Sequence, residues 1–166
     1  MRTVSVKGLE KLEAWRKAMD FSLKVYREVL PILPNEEKWN LNQQIHRAVQ
    51  SIPANISEGH GRFYYQDNVR FCYFARGSLE ETLSHNVLAY ELGYIPEELY
   101  HQLERSGDDL NCLLNGYIAY LKRSKRGSNE PGAHLAAREV PEAYIDEQSP
   151  TEPHTNQAGD RNIRHK

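Results

Sequence analysis

A chain of 166 residues fits one domain, but a hydrophobic share of 39% is low for a compact one, so part of the chain is expected to lie outside any core. Residues 1–126 carry 17 basic and 16 acidic groups, a net +1, and residues 127–166 carry 4 and 7, a net −3; neither value marks a general nucleic-acid binder. The N-terminus has no apolar run of signal-peptide length, and no stretch approaches the roughly 18 apolar residues of a membrane helix, so a soluble, cytoplasmic protein with no membrane partner is expected.

Residues 1–8 read as a flexible lead-in. From Leu9, apolar residues recur at Leu12, Trp15, Met19, Val25, Tyr26, Val29 and Leu30, mostly three or four apart, which is the pattern of an amphipathic helix. Pro31 and Pro34 end it. Asn40 followed by Gln43 reads as a capping box for the second helix. Trp15 and Trp39 are large enough to seal the bundle ends or a subunit contact.

At about 100° per residue, Leu41, Ile45, Val49, Ile52 and Ile56 share one side of the second helix. Arg47, Ser51, Asn55, Glu58 and Arg62 share the other. Ser51 and Asn55 are short polar residues and mediocre helix formers, suited to a close helix contact where each side chain finds a partner. A structural polar network is therefore expected along this stripe; a plain polar surface is the alternative. Pro53 removes one backbone hydrogen bond, so a kink is expected there, and Gly59 and Gly61 are expected to stop the helix.

The third helix begins near Gln66 or Asp67 and carries Val69, Cys72, Tyr73, Leu79, Leu83, Leu88 and Tyr90. Gly77 and Ser78 lie in its middle. A glycine there costs about 1 kcal/mol against alanine, and a close approach of another helix onto the Ser51/Asn55 stripe would offset that, which brings Ser78 into the network. Gly93 closes the helix and Pro96, as its first residue, opens the fourth, where Leu99, Leu103, Leu110, Leu114, Tyr117 and Leu121 repeat. Cys72 and Cys112 each sit in an apolar helical context and read as buried small hydrophobes of a reducing compartment. Residues 126–166 read as a disordered acidic tail, since their composition cannot bury enough apolar surface to order itself. The reading is an all-α, antiparallel up-down-up-down four-helix bundle over residues 9–125.

Chemistry-bearing patterns are sparse. A carboxylate di-iron site in a bundle needs two Glu-x-x-His motifs, and only Glu98 to His101 has that spacing. No metal, cofactor or catalytic residue is expected. Arg62, Arg70 and Arg76 surround the second loop and the start of the third helix, interleaved with Phe63, Tyr64 and Tyr65. Lys122, Arg123, Lys125 and Arg126 close the fourth helix. Cations and aromatics together can grip phosphate and stack on single-stranded bases. The two groups are expected at opposite ends of the bundle, as two modest patches. Phe63, Tyr64, Tyr65, Phe71, Tyr73 and Phe74 are too many aromatics for one face, so some should point outward and form an oligomer interface.

The run Arg47 to Arg62 (RAVQSIPANISEGHGR) resembles the signature of the 23S rRNA intervening-sequence proteins. Phe71 to Glu81 (FCYFARGSLEE), Leu9 to Tyr26 (LEKLEAWRKAMDFSLKVY) and LGYIPEE from Leu92 are similar to other segments of the same family, so that the resemblance covers about residues 9–124. It implies an antiparallel bundle, a ring-shaped homopentamer and no catalytic residues. A related branch, the accessory variability determinant of diversity-generating retroelements, is a strongly basic partner of a reverse transcriptase and its RNA; this chain is not strongly basic. The function implied is a non-enzymatic, ring-forming adaptor that binds RNA or a nucleic-acid-processing protein. The alternative is a structural or protein-interaction module with no nucleic-acid contact.

Overall fold

The computed structural model describes residues 8–62, 64–125 and 128. The expected tail, the lead-in before Gly8, Phe63 and Arg126 lie outside the described residues. Among these residues there are four long helices and no strand: α1 (Glu13–Lys24), α2 (Leu41–Gly61), α3 (Tyr65–Glu91) and α4 (Glu97–Ser124). A short 3₁₀ turn, Leu9–Lys11, precedes α1. A π-helical turn, Val25–Val29, carries α1 onward, and two further 3₁₀ turns, Leu30–Ile32 and Asn35–Trp39, lead to α2.

Each helix packs on its neighbours in chain order, and α1 packs on α4. The cross-helix hydrogen bonds show that these neighbours are antiparallel. Trp15, early in α1, donates to Ser57 Oγ late in α2 (2.9 Å), whereas Ser22, further along α1, donates to the Val49 carbonyl (3.1 Å). Lys24 at the end of α1 meets Gln102 near the start of α4. Asn68 at the start of α3 reaches Tyr117 near the end of α4. The expected fold class is therefore the observed one.

The apolar stripe of α2 forms the centre of the core: Ile45, Val49, Ile52 and Ile56 are fully buried. Phe21, Val25 and Val29 meet it from the first helix, Leu79 from α3, and Leu103, Leu110 and Leu114 from α4. A second, smaller cluster of Val69, Cys72, Ile118 and Leu121 joins the start of α3 to the end of α4.

Local chemistry explains several details. Pro53 lies inside α2 and has no N–H to give the Val49 carbonyl four residues earlier. Ser22 supplies that donor from α1, and the buried carbonyl is satisfied. At the N-terminus of α2 the capping box does not form: Asn40 makes no side-chain cap, and the Glu37 carboxylate accepts from the Leu41 N–H instead (3.2 Å). Pro96 is the residue before α4, not its first. At the end of α3, Gly93 takes φ 73°, and its N–H and that of Tyr94 reach back to the carbonyls of Tyr90 and Ala89 (both 2.8 Å), which ends the helix. Trp39 is 72% exposed and seals nothing among the described residues. Cys112 is exposed, in contrast to Cys72. It lies two residues from both Leu110 and Leu114, on the side of α4 away from the core.

Gly77 does not meet another helix, for a Cβ there would touch nothing within 4 Å. The close approaches fall elsewhere. At Gly59 a Cβ would stand 2.9 Å from Asn68 Oδ1 and from Phe71 Cβ, so α2 and α3 meet there. At Gly107 it would stand 2.7 Å from Leu83, where α3 meets α4. Gly59 and Gly61 are both still helical, and neither has a positive φ.

Candidate nucleic-acid interface

In an antiparallel bundle of four helices, the end of α2, the start of α3 and the end of α4 lie at one end. The Asn68–Tyr117 bond and the contact of Lys122 Nζ with the Tyr73 hydroxyl (2.8 Å) place them together. The two cationic groups expected at opposite ends therefore meet in one patch. The parity of the helices requires it, since two reversals separate the end of α2 from the end of α4.

The patch is built of cations lying over aromatic rings. Arg62 lies 5.2 Å from the centre of Phe71, and Arg70 lies 5.5 Å from that of Phe74. Tyr73 carries two, Arg76 at 5.0 Å and Lys122 at 5.4 Å. Arg76 also donates to Asn115 Oδ1 (2.8 Å), which ties α3 to α4. Arg62 pairs with Glu58 one turn earlier. Among the described residues, none of the ion pairs takes Arg70, Arg76, Lys122, Arg123 or Lys125, and all of these but the half-buried Arg76 are exposed. Of the expected interface aromatics, Tyr73 and Phe74 are exposed and Tyr64, Tyr65 and Phe71 are half-buried.

Beneath the patch lies the small apolar cluster, and its Cys72 anchors a polar chain. The Cys72 thiol contacts Asn68 Oδ1 at 3.5 Å, and the Asn68 amide donates to the Tyr117 hydroxyl at 3.1 Å. Burial pushes the Cys72 thiol up to about 12, so it stays protonated and inert as a nucleophile at neutral pH.

Beside the patch opens a cleft of about 440 Å³ that sequence reasoning missed. Tyr64, Tyr65, Tyr117 and Tyr120 line it, with Lys11, His60 and Arg62. Its signal was the parity of the helices, which brings Tyr117 and Tyr120 of α4 against the loop after α2. Gly8, at φ 89°, turns the chain so that the Leu9–Lys11 turn brings Lys11 to the cleft, and a Cβ on Gly8 would stand 3.5 Å from the His60 ring.

Among the described residues, the polar stripe of α2 forms no buried network between helices. Ser51 donates to the Arg47 carbonyl and Asn55 to the Ser51 carbonyl (both 2.8 Å), each bonding back along its own helix. Glu58 and Arg62 pair on the surface. The Ser78 carbonyl accepts from Thr82, within α3, and Ser78 does not join the stripe. Exposed Arg47 and half-buried Ser51 and Asn55 present a polar face outward.

Among the described residues, no three or more His, Cys, Asp or Glu side chains are grouped to hold a metal ion, and no helix is long and apolar enough to cross a membrane. The sequence profile of the 23S rRNA-intervening sequence proteins matches residues 10–116. No curated protein matches the chain. A crystal structure of a protein of unknown function from the S23 ribosomal protein family of Bacteroides thetaiotaomicron is similar to it, with 26% identity, a TM-score of 0.59, and coverage of 63% of this chain and 97% of that one. A bundle of the same build and a profile match across most of its helices assign the chain: it belongs to the 23S rRNA-intervening sequence protein family.

Proposed function

We propose that the protein is a non-enzymatic adaptor that assembles with copies of itself, as a homopentameric ring, and binds single-stranded RNA through the cation–aromatic patch. The observation that carries this reading is the stack of Arg70, Arg76 and Lys122 on exposed Phe74 and Tyr73. An exposed cation–π contact is worth about 0.5–1 kcal/mol, and stacking of a nucleic-acid base on an aromatic side chain is worth about 1–3 kcal/mol. A base therefore displaces the cation from the ring, and the freed cation turns to the phosphate beside it. A ring of copies repeats the patch and raises the avidity of a weak site.

Self-assembly is supported by the outer face of α3. Val87 and Leu88, and Leu92 just after the helix, are exposed, and Gly77 offers open space for a neighbouring backbone. The same face supports the second reading, a partner that is itself a protein, such as a nucleic-acid-processing enzyme.

RNA titrations at increasing salt test the proposal. Affinity is expected to fall steeply with salt, because phosphate contacts release counterions. Replacing Lys122, Arg123 and Lys125 with Gln should weaken binding about 10-fold or more, with the oligomer unchanged by light scattering. The salt slope should also fall by about 0.7 for each phosphate that is no longer neutralised on a single strand. No binding at low salt overturns the RNA reading and favours the protein partner.

A further inference from the structure

We propose that the tyrosine-lined cleft beside the patch holds one nucleotide that carries a terminal phosphate, either as the end of a single RNA strand or as a free nucleoside monophosphate. As the site of a strand end, this rests on the RNA-binding reading above and gives that patch a point where the strand stops.

The cleft's volume of about 440 Å³ falls within the roughly 300–1,000 Å³ of small-ligand sites and suits a single unit, not a run of them. Its lining divides into two chemistries. Tyr117 and Tyr120 are stacked nearly parallel, with ring centres 6.3 Å apart and planes 14° from each other, and both belong to the aromatic wall of the cleft. Tyr120 is 58% exposed, so part of its ring can be reached by a base. Tyr117 is set in place before any ligand arrives, because Asn68 donates to its hydroxyl and the thiol of buried Cys72 contacts Asn68. A wall already ordered loses little freedom on binding.

Lys11, His60 and Arg62 supply the other chemistry. Arg62 is shared with Glu58, but among the described residues no ion pair takes Lys11 or His60. A phosphodiester inside a strand brings one negative charge. A terminal phosphomonoester brings close to two at neutral pH and more acceptor oxygens. Lys11, the shared Arg62 and an imidazole at one small cleft favour the more highly charged monoester. Aromatic wall and cationic groups together fit a nucleotide better than either fits a bare phosphate or a nucleoside.

Titration of the full-length protein with four short RNAs of one sequence tests this: a 5′-phosphorylated strand, a 3′-phosphorylated strand, a strand with hydroxyl at both ends, and a circle. One of the phosphorylated strands is expected to bind about 10-fold tighter than the hydroxyl-ended strand and the circle. Lys11→Gln and Tyr120→Ala, both at exposed positions, should each erase that ratio, and Tyr120→Phe should keep it. A ratio near one in wild type, with all four RNAs bound, overturns the cleft proposal and leaves RNA binding standing. If no RNA binds, titration with uridine monophosphate, uridine and inorganic phosphate decides. Saturable binding of the monophosphate alone, lost in Tyr120→Ala, sustains the cleft as a free-nucleotide site while the RNA reading falls. No binding of any of these overturns both.

Discussion

At Val49 the backbone of α2 depends on another helix. Its carbonyl lacks a helical donor because residue 53 is proline, and the Ser22 hydroxyl supplies one. Ser22→Ala is expected to cost about 1–3 kcal/mol in urea unfolding, the penalty of a stranded buried acceptor. In a Pro53→Ala background the new N–H can serve Val49 within α2, so the same Ser22→Ala change should cost much less. Equal costs in both backgrounds would show that the hydroxyl matters for some other reason. The missing donor is legible in the sequence, because proline announces it. The hydroxyl that answers lies 27 residues away on a helix whose pattern reads as apolar packing, so nothing local marks it.

At the scale of helices, two glycines inside helices do opposite work. Gly59→Ala would drive a methyl group to 2.9 Å from Asn68 and Phe71 and 3.1 Å from the Asn68 carbonyl, so helix separation must grow. A loss of about 1–3 kcal/mol is expected, the usual cost of overpacking. Gly77→Ala meets open space in the single chain and should raise helix stability by about 1 kcal/mol. If copies pack through that face, the same change should weaken the oligomer by light scattering while the unassembled chain melts higher. Higher melting with no effect on assembly would place the contact elsewhere. The helices themselves are legible from apolar period alone, as the buried run Ile45, Val49, Ile52 and Ile56 shows. Which glycine marks a close approach is not, because that depends on how helices far apart in the chain are set against each other. Ser51 and Asn55 mislead for a related reason. A short polar residue within a helix signals either a neighbour or a bond back to its own backbone, and here it is the second.

At the scale of the molecule, the fold was open to reading and the site was half open. Arg62, Arg70, Arg76 and Lys122 are visible as cations near aromatics in the chain, but their union in one patch follows only from counting helix reversals correctly. The cleft needed more still, for its lining comes from the turn before α1, the end of α2 and the loop after it, the start of α3 and the end of α4. What holds this end together differs from what holds the rest. The main core closes around α2, while Val69, Cys72, Ile118 and Leu121 form a separate small cluster under the patch. A small cluster has its own, lower free energy of opening, so this end should breathe while the rest of the bundle stays folded. Cys72 is the natural reporter. It is fully buried, so a thiol reagent reaches it only when the cluster opens, while exposed Cys112 reacts at once and serves as the internal standard. Labelling of Cys72 in native buffer should give an opening free energy below that of global unfolding, and it should slow when a ligand fills the cleft. Labelling that tracks global unfolding would mean that the bundle opens as one unit. A ligand held at the breathing end would then act as a clasp, and how long it stays bound would set how often the end comes apart.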